Sequence, residues 1–409
     1  MNTTTCVAVI CEFNPLHNGH EYLLQEIRRR HKDSTILCLM SGNYVQRGEC
    51  AVGDKYLRAK TAVLCGADLV LELPIPFSIS SAEGFANGAV DILTKLNGVD
   101  HLYFGSECGD IQTLTAVAEG LNAPDFQAKV AQRLRHDRRL RYPVAVDEQY
   151  SISYPNAPQL PKTPNDILGV HYIRAILRLN SPIQPHAVTR YKAGHDSQNP
   201  HDTYCSSSLL RNIVTEKGLD EARSFMNPGS VQVLKEAYNN GLFPIDNKFT
   251  QRVILNDLRN RVIQGEELGQ YLYCQEIGKV LNKTVINAKN LDEVFQAVKD
   301  KSKTLSGIRR AILCAYLKIP KLLENIAPSY TTVLGFSNKG KEFLNTVRKK
   351  KNILLITKPA DLFQLSKTDP IALANVRADS MYCGLYSRIQ PWDRFLKATP
   401  YIGEKANKF

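Results

Sequence analysis

Two clusters in the sequence carry residue types and spacings suited to chemistry on phosphates. The first is His17-Asn18-Gly19-His20, inside EFNPLHNGH at 12–20. It follows a short apolar run, Cys6 to Cys11, and precedes EYLLQEIRRRHK, in which Leu23, Leu24 and Ile27 recur at helical spacing. At such a strand-to-helix junction the backbone amides and the positive end of the helix dipole favour a bound phosphate. Two imidazoles three residues apart can both donate hydrogen bonds to an α-phosphate, and Gly19 lets the chain pass close to a nucleotide. Isolated histidines of this kind are often just satisfied loop residues. Here the strand, the Asn14-Pro15 turn and the helix together favour the functional reading. The second cluster, Ser206-Ser207-Ser208-Leu209-Leu210-Arg211, also opens a predicted helix. Serines there are ordinary caps. The same hydroxyls and free amides can hold β- and γ-phosphates, with Arg211 one turn inward to neutralise charge.

The elements that must position these residues alternate along the chain. VAVI, flanked by Cys6 and Cys11, fits a strand buried on both faces, and Thr35 to Met40 forms a second apolar run. Lys55 to Cys65 reads as a helix, 68–74 as a strand, Ser81 to Leu96 as a helix and 101–107 as a strand. This alternation predicts an α/β fold, a doubly wound parallel sheet with ligands at the carboxyl ends of its strands. Asp110 to Gln159, with the basic stretch RLRHDRRLR at 133–141, reads as an exposed helical insertion. The pattern resumes with a helix over Asn165 to Leu179, a strand near Ile183 to Arg190 and the helix from Ser206, which closes a first domain over 1–225. A mainly helical second domain is expected over 226–409, with helices at Phe249–Gln264, Leu268–Leu281, Leu291–Lys301 and Gly307–Leu317. NILLIT at 352–357 could form a strand within it.

Composition bounds the partners. Lysine plus arginine exceed aspartate plus glutamate by 52 to 40, so the chain carries a formal +12 and would attract a polyanion such as RNA. The ten cysteines include no CxxC pair, which argues against structural zinc and for buried thiols in a reducing compartment, the cytoplasm. No export signal is expected at the N-terminus, and no run of about 18 apolar residues exists to cross a membrane. No protein partner is evident.

HxGH near the start, joined to a (S/T)S(S/T)xxR element at the last helix of the same α/β domain, resembles the HxGH nucleotidylyltransferase superfamily, with its HUP-type fold. The motifs MSGNYVQRGECA at 40–51, DKYLRAKTAVLCGADLVLELP at 54–74, SAEGFANGAV at 81–90, FGSE at 104–107, PNDILGVHYIRA at 164–175 and VLGF at 333–336 narrow this further. They closely resemble the bacterial tRNA(Met) cytidine acetate ligase family over essentially the whole chain, densely in the first 215 residues. The resemblance implies that ATP, travelling with Mg²⁺, activates acetate as acetyl-adenylate. The acetyl group then passes to N4 of the wobble cytidine of elongator tRNA(Met), without acetyl-CoA as donor. Carried over position by position, the ATP site comprises the segment Val9 to Tyr22, including Glu12, Phe13, Asn14, His17, Gly19 and His20, with Gly105, Asn165 and Arg190. His17 and His20 would stabilise the α-phosphate in the transition state. Ser206, Ser208 and Arg211 would hold the outgoing pyrophosphate, and Gly105 would let adenine approach the backbone. No protein ligand for a metal is identified. The chain has Pro164-Asn165-Asp166 where the family pattern has PNN, so a role for the third position does not carry over.

Lys55, Arg58 and Lys60 on one predicted helix, with Arg47 before it, could contact acetate, phosphate or RNA, or form a solvated basic face. Basic clusters at 133–141, 306–310 and 348–351 are candidates for tRNA backbone contacts, which makes the second domain the expected tRNA-binding part. Tyr382 and Tyr386 could stack a base or pack internally. Two other readings remain open. A small-molecule nucleotidylyltransferase or acid-activating ligase would share both motifs without needing RNA. An RNA-binding module with a decayed nucleotide site is opposed by the intact His17, Gly19, His20, Ser206, Ser208 and Arg211.

Overall fold

A computed structural model describes residues 5–137, 140, 142–190, 204–300 and 303–403. Strand β1 (Cys6–Cys11) is buried on both faces, as its unbroken apolar run requires. Val7 and Val9 point into a core shared with Leu24, Ile27, Ala59 and Ala62, whereas Ala8 and Ile10 face Phe85 and Ala89 on the other side. The remaining strands are β2 (Thr35–Ser41), β3 (Tyr44–Val45), β4 (Glu49–Cys50), β5 (Leu69–Leu73), β6 (His101–Ser106), β7 (Gln184–Thr189), β8 (Tyr330–Phe336), β9 (Leu354–Ile356) and β10 (Tyr401–Ile402). β3 and β4 form a small hairpin of their own. The others make one sheet in the order β10-β8-β5-β2-β1-β6-β7, with β9 paired to β8.

From β5 to β7 the sheet is parallel. The chain steps outward from β1 through β2 to β5 and then returns to the opposite side of β1 as β6. The connections leaving β1 and β6 therefore diverge and open a crevice at the carboxyl ends of these two strands. The α/β, doubly wound parallel-sheet architecture is the one the alternation predicts.

The half beyond residue 225 is helical only up to a point. After helices that include Pro228–Asn239, Asn247–Ile263, Gly278–Asn287, Leu291–Val298 and Leu305–Tyr316, the chain re-enters the sheet. β8 runs antiparallel along β5, with Leu69 opposite Phe336, and β9 and β10 pair in parallel with β8. NILLIT thus contains β9. Position 225 consequently divides neither the sheet nor the core, because Leu69 and Phe85 share one apolar cluster with Ile308, Tyr330 and Tyr382. Covering the β5 edge satisfies amides that a parallel sheet would otherwise leave unpaired. The helix expected over Leu268–Leu281 also divides differently. Leu268–Gln270 is a short 3₁₀ turn, Tyr273 takes a positive φ of 63°, and the α-helix starts at Gly278. A Cβ on Gly278 would lie 2.5 Å from the Cα of Gly269, so backbone packs on backbone and breaks the helix.

Candidate active site

The crevice at the β1/β6 switch point is a cavity of ≈ 470 Å³. Its walls bring together every residue singled out for the nucleotide: Val9, Glu12, Phe13, Asn14, His17, Gly19, His20, Gly105, Asn165, Arg190, Ser206, Ser208 and Arg211.

His17 is the N-cap of the Asn18–Arg30 helix, and its Nδ1 accepts the Gly19 N–H at 3.1 Å. The His17 N–H donates in return to His20 Nδ1 at 3.3 Å. This is a reciprocal capping box built from two imidazoles. It also sets chemistry, because a ring whose Nδ1 accepts an amide proton carries its own proton on Nε2 when neutral. The rings stack with centroids 3.8 Å apart, and His17 Nε2 lies 3.0 Å from Ser207 Oγ. Both histidines are thereby arranged as donors without needing a positive charge.

Gly19 is required by this stack more directly than by a nucleotide. A Cβ there would stand 3.0 Å from the His17 ring. Gly19→Ala should displace that ring and lower adenylation by about 10²-fold, the usual penalty of misplacing a reacting group by an ångström. The check is acetate-dependent ATP–pyrophosphate exchange beside an unfolding curve, and wild-type exchange would show that the ring tolerates the methyl group.

The serine cluster joins the histidines across the crevice. Ser206 caps the Ser207–Glu216 helix, its Oγ accepting the Leu209 N–H at 3.2 Å. Arg211 donates to the Asn14 carbonyl at 2.9 Å and to Ser208 Oγ at 3.2 Å. Asn14, on the amino side of the cis Asn14–Pro15 bond, accepts the Val52 N–H at 2.7 Å through its side chain. Burial pulls the Arg211 guanidinium below its ordinary value against the pull of Glu49 and Glu12, and it remains a cation. One helix N-terminus, one arginine and two imidazoles thus converge on one wall of the cavity, an arrangement suited to an anion.

On the β6 side, Gly105 leaves room for Arg190, whose Cγ would lie 3.3 Å from an added Cβ. Burial likewise lowers the Arg190 guanidinium, and Glu107 opposes this. Asn165 donates to Glu107 Oε1 at 2.6 Å. Asp166, where the resemblance left the role open, is a structural acceptor. It takes hydrogen bonds from Ser106 Oγ at 2.5 Å, Thr163 Oγ1 at 2.7 Å and the Glu107 amide at 3.0 Å. Burial alone would raise its carboxyl, but these donors hold it below the ordinary aspartate value.

Several basic candidates are corrected by burial. Arg58 is 2% exposed, and its guanidinium donates to the carbonyls of Gly53, Glu12, Ser41 and Gly42. It ties the ends of β1 and β2 together and is not available to a ligand. Lys55 is equally buried, with Nζ 2.8 Å from Glu72 Oε1 and 2.6 Å from Asp379 Oδ2. Lys60 lies outside the cavity, over the Tyr401 ring. Tyr382 and Tyr386 pack internally, their hydroxyls donating to the Ala51 carbonyl and to Asp54 Oδ2, each at 2.8 Å. In the 306–310 cluster, Arg309 pairs with Glu49 at 2.5 Å and Arg310 donates to the Gln46 carbonyl. Arg348 to Lys350 are exposed, but Lys350 sits by Asn97 in the loop leading into β6, at the end of the strands away from the cavity. Arg138, Arg139 and Arg141 lie outside the described residues, as does 191–195 of VTRYKAGH.

The β3–β4 hairpin supplies what the motif reading left vague. Its turn brings Gln46, Arg47 and Glu49 to the cavity, and Gly48 there has φ 78° with the Arg309–Arg310 backbone packed against it. Ser306, Tyr172 and Phe85 also line it. Ser306 and Arg309, the latter paired with Glu49 of the hairpin, come from the helical half, so that half closes one side of the site. Within MSGNYVQRGECA the sequence singles out Arg47, which does line the cavity, but nothing in the motif marks Gln46 or Glu49.

Fold and site together define a nucleotidyl transferase of the HIGH class. The sequence model of the HIGH Nucleotidyl Transferase family matches residues 4–393. The tRNA(Met) cytidine acetate ligase of Halothermothrix orenii is 33% identical, the alignment covering 86% of each chain. That of Caldanaerobacter subterraneus is 35% identical over 87% of this chain and 88% of its own. The crystal structure of Thermotoga maritima TmcAL superposes with a TM-score of 0.88 at 28% identity, over 98% of this chain and 100% of that one. Its form bound with alpha-thio ATP gives 0.86. The chain belongs to the tRNA(Met) cytidine acetate ligase family within the HIGH nucleotidyl transferases.

Proposed function

We propose that this protein is an ATP-dependent ligase that activates acetate as acetyl-adenylate and acetylates N4 of the wobble cytidine of elongator tRNA(Met). The observation that carries the reading is the convergence of His17, His20, Ser206, Ser208 and Arg211 on one cavity at the strand switch point. In the first step an acetate oxygen attacks the α-phosphorus of ATP and the bond to the β-phosphate oxygen breaks. The His17 and His20 Nε2–H groups stabilise charge on the α-phosphate oxygens as it develops. Ser206, Ser208, Arg211 and the helix amides hold the departing pyrophosphate. Gly105, Asn165 and Arg190 border the nucleoside end. Positioning and charge are enough for this in-line transfer, so no covalent enzyme intermediate is needed.

In the second step the exocyclic amine, a poor nucleophile, attacks the acetyl carbonyl and AMP leaves. Among the described residues no group of three or more His, Cys, Asp or Glu side chains is arranged to hold a metal. Mg²⁺ arriving with ATP would take phosphate oxygens and water as ligands. The helical half is the proposed tRNA-binding part, supported by the basic balance of the chain. Its Arg309–Glu49 pair means that it also shapes the ATP site. The cytoplasm is the matching compartment, and no helix among the described residues is long and apolar enough to cross a membrane.

The test is incubation with ATP, radiolabelled acetate and bacterial tRNA, followed by digestion and a search for labelled N4-acetylcytidine, with acetyl-CoA as a parallel donor. Label from acetate that depends on ATP is expected. Acetate-dependent pyrophosphate release with no label in RNA would move the acceptor elsewhere.

A further inference from the structure

Two carboxylates line the cavity, although its expected occupants, ATP and acetate, are anions. Glu49 is accounted for by Arg309 at 2.5 Å and Arg211 at 3.8 Å. Glu12 is different. It stands at the end of β1, just before the histidine turn, and its Oε1 accepts the Gln46 N–H at 2.7 Å. Its main-chain carbonyl is held by Arg58 at 2.6 Å. No described residue donates to Oε2, and no lysine or arginine among them forms an ion pair with the carboxylate. Oε1 thus orients the group, and the residue lines the cavity.

We propose that Glu12 is the general base of the acetyl-transfer step, its Oε2 taking the proton from the cytidine N4. This rests on the function proposed above. As N4 attacks, the N–C bond forms and the nitrogen becomes strongly acidic. The C–O bond to AMP breaks, AMP leaves with that electron pair, and the N4 proton passes to Glu12, which later releases it to water. Neither imidazole suits the task, since the capping box commits both Nδ1 atoms to amide protons and leaves Nε2 protonated. The environment of Glu12 matches a base. Burial raises its carboxyl above the ordinary glutamate value, against the Gln46 amide and the more distant Arg211, Arg47 and Arg58. A raised value makes a carboxylate a stronger proton acceptor.

Glu12→Gln keeps an oxygen for the Gln46 amide and replaces the basic, charged oxygen by a neutral NH2 group. Because Glu12 also lines the nucleotide cavity, acetate-dependent ATP–pyrophosphate exchange is read beside transfer and should fall at least about tenfold less than transfer does. Transfer from presynthesised acetyl-adenylate to tRNA should fall by about 10²- to 10³-fold, within the range of general-base contributions. The wild-type rise of the transfer rate with pH should also flatten. A urea unfolding curve certifies folding, and Glu12→Asp should recover part of the transfer rate. Equal loss of both half-reactions, or a variant whose exchange demands more Mg²⁺, would assign Glu12 to ATP binding and overturn the proposal. Unchanged transfer would overturn it as well. Failure of the functional reading is distinguishable, because then wild-type protein itself would exchange pyrophosphate and leave tRNA unlabelled.

Discussion

His20→Ala is expected to lower acetate-dependent ATP–pyrophosphate exchange by on the order of 10²- to 10³-fold, the typical loss for one preorganised donor to a developing oxyanion. The geometry makes this a rate effect. Stacked on His17 and pinned through Nδ1, the His20 ring presents its Nε2 proton in a fixed direction before substrate arrives. An interaction that strengthens only in the transition state lowers kcat and kcat/KM together, leaving the KM for ATP close to wild type. The structural penalty is smaller: the His17 N–H loses its acceptor, at about 1 kcal/mol, and the ring contacts to His17 and Phe13 go with it. tRNA affinity should hardly change. Exchange and urea unfolding measured on one preparation separate the two effects. A variant that unfolds far earlier, and loses tRNA binding in proportion, would show that the ring serves the turn alone.

The second large effect lies away from the phosphates. Lys55 is the sole cation within reach of Glu72 and Asp379 among the described residues, and all three side chains are at most 7% exposed. Lys55→Met leaves two carboxylates buried without a countercharge and should destabilise the protein by about 3–5 kcal/mol. Asn43 donates to Asp379 at 2.9 Å and its own Oδ1 accepts the Lys55 amide, so the loop before the cavity hairpin should loosen as well. Urea titration of the variant measures this. A change under about 1 kcal/mol would mean that the two carboxylates share a proton at little expense.

The same cluster predicts a pH dependence. Burial and the Glu72 charge push the Asp379 carboxyl up to about 7, although Lys55 and Asn43 pull the other way. Native protein then binds this proton more tightly than the unfolded chain, where aspartate titrates near ~4. Its contribution to stability is fully present below about 4 and is lost as pH rises through about 7. The difference between wild type and Asp379→Asn in urea series from pH 5 to pH 8 should show that slope, and a pH-independent difference would contradict it.

Local pattern was enough for much of this protein. The VAVI run, the histidine turn and the serine-capped helix are each dictated by neighbouring residues, through two-sided burial, capping and helix periodicity. Their repetition set the parallel α/β order, and the order located the crevice. His17, Gly19, His20, Ser206, Ser208 and Arg211 are legible in this way, whereas Val9, Glu12, Phe13, Asn14, Gly105, Asn165 and Arg190 come from the family resemblance, and all thirteen line one cavity. Charge was a poorer guide. Lys55 and Arg58 look like surface cations in sequence, because nothing adjacent reveals the Glu72 and Asp379 carboxylates or the four carbonyls that receive them.

What the sequence determined by itself was therefore everything encoded within a turn or two of chain: strand, turn, cap, helix and the chemistry they display. Only tertiary structure decided which cations line the cavity, what anchors Glu12 and which strands complete the sheet. β8 lies more than 250 residues beyond β5, yet completes its edge, with Thr331 Oγ1 donating to the Glu72 carbonyl at 2.7 Å. The pairing of distant segments depends on which edge remains open once the first sheet has formed, and that is a property of the assembled fold.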